Sequence, residues 1–237
     1  MSNKLQVLTD RTLQEMKNLH AFYILSLYAW HVAMKNERTA PSTVLIHSSD
    51  IGLADWQVDH REFVARVPKH EYDLMGIVLV RIVTSFEAFF FSLLETLLME
   101  RPERLPKEKK IEYGEILESN DFGEVIKKIV ERELHELKFK SVSAWFEKLQ
   151  GMVKMKCPNE EEIRLLAEIK ATRDLFIHNS GLVNRFYIKK AGGLARGRLG
   201  QPIRMSDEYL IESLKLVVKI VKDVSKAVIR KIHKQNP

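Results

Sequence analysis

The chain has a single cysteine, Cys157, so no disulfide can form within it, and whatever holds the fold must be noncovalent. Glycine and proline are scarce, with ten and seven in 237 residues, which argues against a loop-rich or many-turned β architecture and favours helices. No stretch alternates as a strand does, and no internal repeat is visible. The N-terminus, Met1-Ser2-Asn3-Lys4, runs into a polar amphipathic stretch rather than an uninterrupted signal-peptide core, so the expected location is the cytoplasm. None of the eight histidines lies three or four residues from another, and Cys157 has no cysteine partner, so no metal site or cofactor is expected. Gly192 and Gly197 have the spacing of a phosphate-loop start, but Arg198-Leu199 stands where Lys-Ser/Thr would be needed, which excludes an NTPase of that type. No nucleophile elbow surrounds any serine.

The longest apolar stretch, Leu74 to Met99, would tempt a membrane reading. Arg81, Glu87 and Glu95 interrupt it. Each would cost about 2.5–3.5 kcal/mol at the centre of a bilayer. A buried central helix fits better, and no membrane partner is expected.

What is present reads as an all-α helical bundle. Leu13, Met16, Leu19, Tyr23, Leu27, Trp30 and Met34 recur at helical spacing over about 9–36. Residues 37–67 collect Pro41, Ser42, Ser48, Ser49, Asp50 and Gly52 and read as a loop with a short helical turn. The apolar helix then runs to about Glu100, where Pro102 and Pro106 stop it. Two shorter helices are expected near 122–138 and 141–154. The next is the best marked: Asn159 and Glu162 form a capping-box pattern, and Gly181 is a C-terminal stop. A last helix from about Ser206 carries Leu210, Leu214, Val217, Val221, Val224, Val228 and Ile232 on one stripe. The expected organisation is an N-terminal helix and loop over 1–67, packed on a core bundle over 68–237.

On the helix from Glu160 to Ser180, a wheel places Leu166, Ile169, Arg173, Phe176 and Ile177 on one face. Arg173 thus interrupts an apolar stripe. A buried guanidinium needs a paired carboxylate, a partner subunit or an anionic ligand, and all three remain open. Asp174 and His178 lie four residues apart, so the carboxylate could orient the imidazole. Downstream, Asn184 to Arg204 holds Arg185, Lys189, Lys190, Arg196, Arg198 and Arg204 with no acidic residue, a charge equal to the whole chain's net excess of +6. Such a segment could clamp a nucleic-acid backbone, with Phe186 and Tyr187 stacking on bases; otherwise it is a flexible basic loop or a short hairpin.

The run Arg173-Asp174-Leu175-Phe176-Ile177-His178-Asn179 resembles the R-x(4-6)-H motif of the HEPN superfamily, including the polar residue after the arginine. The continuation Asn179-Ser180-Gly181-Leu182-Val183-Asn184 with Tyr187, and the earlier Ser85-Phe86-Glu87-Ala88-Phe89, are similar to the family as well. The likeness covers roughly 70–235. It implies a HEPN-type bundle and a metal-independent endoribonuclease, with Arg173 as electrostatic stabiliser, His178 as general acid or base, and Asp174 assisting. Asn179, Arg185, Tyr187, Lys189, Lys190, Arg196 and Arg198 are the expected RNA contacts. One chain offers one motif histidine, so the resemblance further implies a homodimer in which two motif helices meet, with Ile169, Phe176 and Ile177 packing across it. A role as toxin or antiviral effector, with an antitoxin or other regulatory partner, is implied in the same way. Ser180 stands where one toxin subgroup has a modifiable tyrosine, so that subgroup's pairing is not expected. The rival expectation is a non-catalytic HEPN module that binds RNA or a protein.

Overall fold

The computed structural model describes residues 1–35, 43–106, 113–119 and 121–233, and Pro41 and Ser42 of the expected loop lie outside them. The chain is an all-α helical bundle. Helix α1 (Ser2–Lys35) packs against α2 (His60–Glu100) and α8 (Asp207–His233); between the latter two lie α3 (Tyr113–Leu117), α4 (Phe122–Lys138), α5 (Val142–Val153), α6 (Glu160–His178) and α7 (Arg185–Ala191).

Helix α2 is the spine. Its side chains Val78, Leu79, Ile82, Phe86, Phe89, Phe90, Leu93 and Leu94 are essentially inaccessible, and α1, α4, α6 and α8 all pack against it. A helix apolar on nearly every side must be covered on nearly every side. By length and composition α2 could cross a membrane, yet 61% of its most apolar window is buried inside the fold, as befits a bundle's central helix. The stripe expected on the last helix closes the bundle, with Val217, Val221, Val224 and Val228 fully buried.

Two expectations are corrected. The segment read as a loop contains a small antiparallel hairpin, β1 (Thr43–Ile46) paired with β2 (Trp56–Asp59), with Val44 opposite Val58. Four-residue strands show too little alternation to stand out among Ser, Asp and Gly. In addition, α2 starts at His60, capped by Asp59, whose carboxylate accepts from the Glu62 amide at 2.7 Å, and continues through Pro68. Proline removes one backbone donor, a loss this long, well-packed helix tolerates. The boundary drawn at residues 67 and 68 therefore falls inside a continuous helix.

Where α2 meets α6, the approach depends on Gly76. A Cβ built there would lie 2.5 Å from the Phe176 ring, which also meets Tyr72 at 5.6 Å between ring centres. Gly76→Ala overpacks this crossing and is expected to lower stability by about 1–3 kcal/mol. Urea unfolding of the variant checks this; unchanged stability would mean the Phe176 ring moves aside freely.

Candidate functional site

Helix α6 begins with the anticipated capping box: the Asn159 side chain accepts from the Glu162 amide, and the Asn159 amide donates to the Glu162 carboxylate, each at 2.9 Å. At its other end the amides of Asn179 and Gly181 both return to the Leu175 carbonyl, at 2.8 and 3.0 Å. Gly181 has a φ of +76°, which a residue with a Cβ adopts only under strain, and that Cβ would also meet the Tyr72 hydroxyl at 2.8 Å. Asn179 completes the stop by donating from its side-chain amide to the Leu182 carbonyl at 2.6 Å. The side-chain amide nitrogen of this expected RNA contact is thus used in capping.

Arg173 is 9% exposed, and its compensation comes from its own chain. Its Nη2 donates to Glu87 Oε1 on α2 at 2.5 Å, while its Nε, 3.5 Å from Asp174 Oδ1, makes no hydrogen bond. The Lys170 ammonium lies 3.0 Å from the same Glu87 oxygen and 3.7 Å from Asp174 Oδ1. From α7, Lys190 donates to Asp174 Oδ2 at 3.0 Å. Three cations and two carboxylates form one network with a single positive charge in excess. Of the three kinds of partner that Arg173 was expected to need, Glu87 supplies the carboxylate.

Asp174 does not orient His178. Its oxygens face Lys190, Lys170 and Arg173, and no hydrogen bond or ion pair joins it to the imidazole. His178 sits exposed in the last turn of α6, without a polar partner among the described residues. Arg173, Asp174 and His178 nevertheless line a single open cleft of about 1700 Å³, together with Glu87, Lys189 and Lys190. The cleft is lined by α2 and α6 together with the corner joining α4 to α5 and with α7.

The basic segment is neither a loose loop nor a hairpin. It opens with α7, capped by the Asn184 side chain accepting from the Tyr187 amide at 2.9 Å. Its end is stitched to its beginning: the Val183 amide donates to the Gln201 carbonyl at 2.9 Å and the Ile203 amide to the Gly181 carbonyl at 2.8 Å. Val183, Tyr187, Ala191 and Ile203 bury themselves against Ala171 and Leu175 of α6.

Two expected RNA contacts are therefore overturned. Tyr187 is 1% exposed and cannot stack on a base; its hydroxyl donates to Glu168 Oε1 at 2.8 Å and accepts from the Arg196 amide at 3.0 Å. Arg196 bonds inward to Glu168 Oε1 (3.1 Å), Thr172 Oγ1 (3.0 Å) and the Arg204 carbonyl (2.5 Å), with its guanidinium 3.4 Å from the centre of the Tyr209 ring. Helical position and charge alone cannot tell a basic side chain facing out from one facing in. Arg185 and Arg198 are exposed but do not line the cleft, whereas Lys189 and Lys190 do.

The expected dimer contact also changes. Ile169 is buried in the chain's own core, and Phe176 packs on Gly76 and Tyr72; only Ile177, 46% exposed, remains open. The middle of α6 is covered by α2, α5, α7 and α8, leaving its first turns, through Leu165, and its final turn accessible.

Sequence reasoning missed Glu168 and Lys170. Glu168 is 3% exposed and accepts from Thr172, Tyr187, Arg196 and, through Oε2, Tyr209 at 2.8 Å. Its partners lie up to 41 positions away, so only the Thr172 spacing, one helical turn on, was available as a signal. Among the described residues no three His, Cys, Asp or Glu side chains converge as metal ligands would. The chain matches no protein-family model, no curated protein and no solved structure.

Burial foremost, and for Tyr209 the Glu168 carboxylate after it, holds the Tyr187 and Tyr209 hydroxyls above the ordinary tyrosine range; burial and Asp207 do the same for Tyr23. The unfolded chain then loses these protons first, near pH of about 10, so it binds fewer protons than the folded state and stability must fall as pH rises from there. Urea titrations across that range should show the decline, with a shallower slope in Tyr209→Phe. Glu168→Ala strips four donors of their acceptor and is expected to cost about 3–5 kcal/mol at neutral pH, as for a broken buried ion pair. A loss below 1 kcal/mol, the size of an exposed pair, would show the network to be dispensable.

Proposed function

We propose that the chain is a HEPN-type endoribonuclease that cuts RNA without a metal ion, using Arg173 and His178. One observation carries the reading: Arg173 and His178, five positions apart on α6, open onto the same cleft beside Lys189 and Lys190, and the imidazole has no protein partner among the described residues. Cleavage by the 2′-hydroxyl needs a base to take its proton, an acid to protonate the departing 5′-oxygen, and a cation on the phosphorane. Arg173 supplies the cation. His178 supplies the acid or the base, and the His178 of a second copy supplies the other. Because the middle of α6 is covered, the two copies of this homodimer meet at the open turn of Ile177 and His178 and at the mouth of the cleft. A cytoplasmic role as toxin or antiviral effector, restrained by an antitoxin or similar protein, belongs to the same proposal.

A second reading, RNA binding without cleavage, is favoured by a specific observation: Glu87 already neutralises Arg173, and the middle of α6 is packed against four helices of its own chain.

Purified protein incubated with mixed RNA in EDTA separates the two. Cleavage is expected to survive chelation and to fall by about 10²–10⁴-fold in His178→Ala and in Arg173→Ala, while His178→Ala still binds RNA. Chelator-sensitive cleavage would sink the mechanism, and binding without cutting selects the second reading. Lys189→Ala should reduce the slope of log affinity against log salt by about 0.7.

A further inference from the structure

Two phenylalanines line the cleft without contributing to the core. Phe139, the C-cap of α4 at the corner leading into α5, is 79% exposed, and Phe186, in the first turn of α7, is 76% exposed. Single exposed rings are ordinary. These two share a cleft, and each comes with ammonium groups. Lys138 and Lys140 flank Phe139, and all three line the cleft. Lys189 and Lys190 follow Phe186 by three and four residues, which on a helix sets them beside its ring. The His135 ring meets Phe139 edge-on at 5.1 Å, bracing it from its own helix. On each of these two elements lining the cleft, then, an exposed aromatic ring comes with positive charge.

That pairing suits a single nucleic-acid strand, whose bases need an apolar face and whose phosphates need a cation. It does not suit a duplex, where each base face is already covered by its neighbours. Resting on the RNA reading above, we propose that Phe139 and Phe186 are base-stacking platforms on one strand path. The cleft then takes an unpaired RNA segment several nucleotides long, with phosphates near Lys138 and Lys140 at one platform and near Lys189 and Lys190 at the other. Arg173 and His178 line the same cleft.

The test uses the full chain carrying His178→Ala, so that RNA stays uncut, and fluorescence anisotropy with a labelled unstructured 12-nucleotide RNA (about one such site) and a duplex of equal length. The single strand is expected to bind more tightly at matched salt. Phe139→Ala and Phe186→Ala should each weaken strand binding on the order of tenfold with the salt slope unchanged, and Phe→Tyr at either position should restore it. Both rings are exposed, and circular dichroism confirms that the variants fold. Strand binding indifferent to both alanine variants, or a duplex bound equally well, would overturn the platforms while leaving the RNA reading intact. Failure to bind either RNA would overturn the RNA reading and this inference with it.

Discussion

The Glu168 carboxylate, buried at the middle of α6, governs where the basic segment can lie. A carboxylate at 3% exposure is tolerable only if its oxygens are occupied by donors. Here the donors arrive from four elements: Thr172 on α6 itself, Tyr187 on α7, Arg196 in the following loop and Tyr209 on α8. Because a half-satisfied buried network is costlier than none, these elements hold one another in place. The stretch from Asn184 to Arg204, polar and glycine-containing as it is, becomes a fixed wall. Phe186, Lys189 and Lys190 face the cleft because Tyr187 and Arg196 face the carboxylate.

One turn further along the same helix, Arg173 poses the opposite problem and meets the opposite solution. Its positive charge is held by Glu87 from α2, just as the negative charge of Glu168 is held from α7, α8 and the loop. The two buried charges lock α6 to its neighbours on different sides, and the cleft is what remains between those attachments. Phe176 sets the spacing at the crossing with α2, where Gly76, lacking a Cβ, lets its ring lie against the helix. Geometry at the cleft thus descends from three choices on a single helix: Glu168, Arg173 and Phe176.

Much of this was legible in the residues. The all-helical class followed from periodicity and scarce glycine, and the caps of α6 from Asn159, Glu162 and Gly181. That Arg173 must find a compensating partner was also apparent from its place in an apolar stripe. The identity of the partner was not, because Glu87 lies 86 positions away and only the fold brings it near. Asp174 and His178 show the limit of local spacing. Four residues on a helix make a pairing available, but Lys190, from a different element, takes the carboxylate oxygen instead. Likewise the basic segment revealed its charge but not its facing, and the charge divides between Arg196, turned inward as a structural donor, and lysines turned to solvent. The hairpin at 43–59 escaped because four-residue strands carry less periodic signal than the turn residues around them.

The charge network also bears on how Arg173 could serve a phosphate at all. A guanidinium already bound to a carboxylate would ordinarily gain little by exchanging one anion for another, since the abandoned carboxylate would be left buried and uncompensated. Here Glu87 has a second cation: Lys170 lies 3.0 Å from the same oxygen that Arg173 holds, and Glu87 itself is 23% exposed. Asp174 is likewise kept by Lys190 at 3.0 Å. If Arg173 turns toward an entering phosphate, both carboxylates retain a partner and neither is stranded. The network's excess of one positive charge is also the charge that a single phosphodiester would neutralise. The ion pair that would make Arg173 look like a purely structural residue is, with Lys170 beside it, compatible with a guanidinium that exchanges one anionic partner for another.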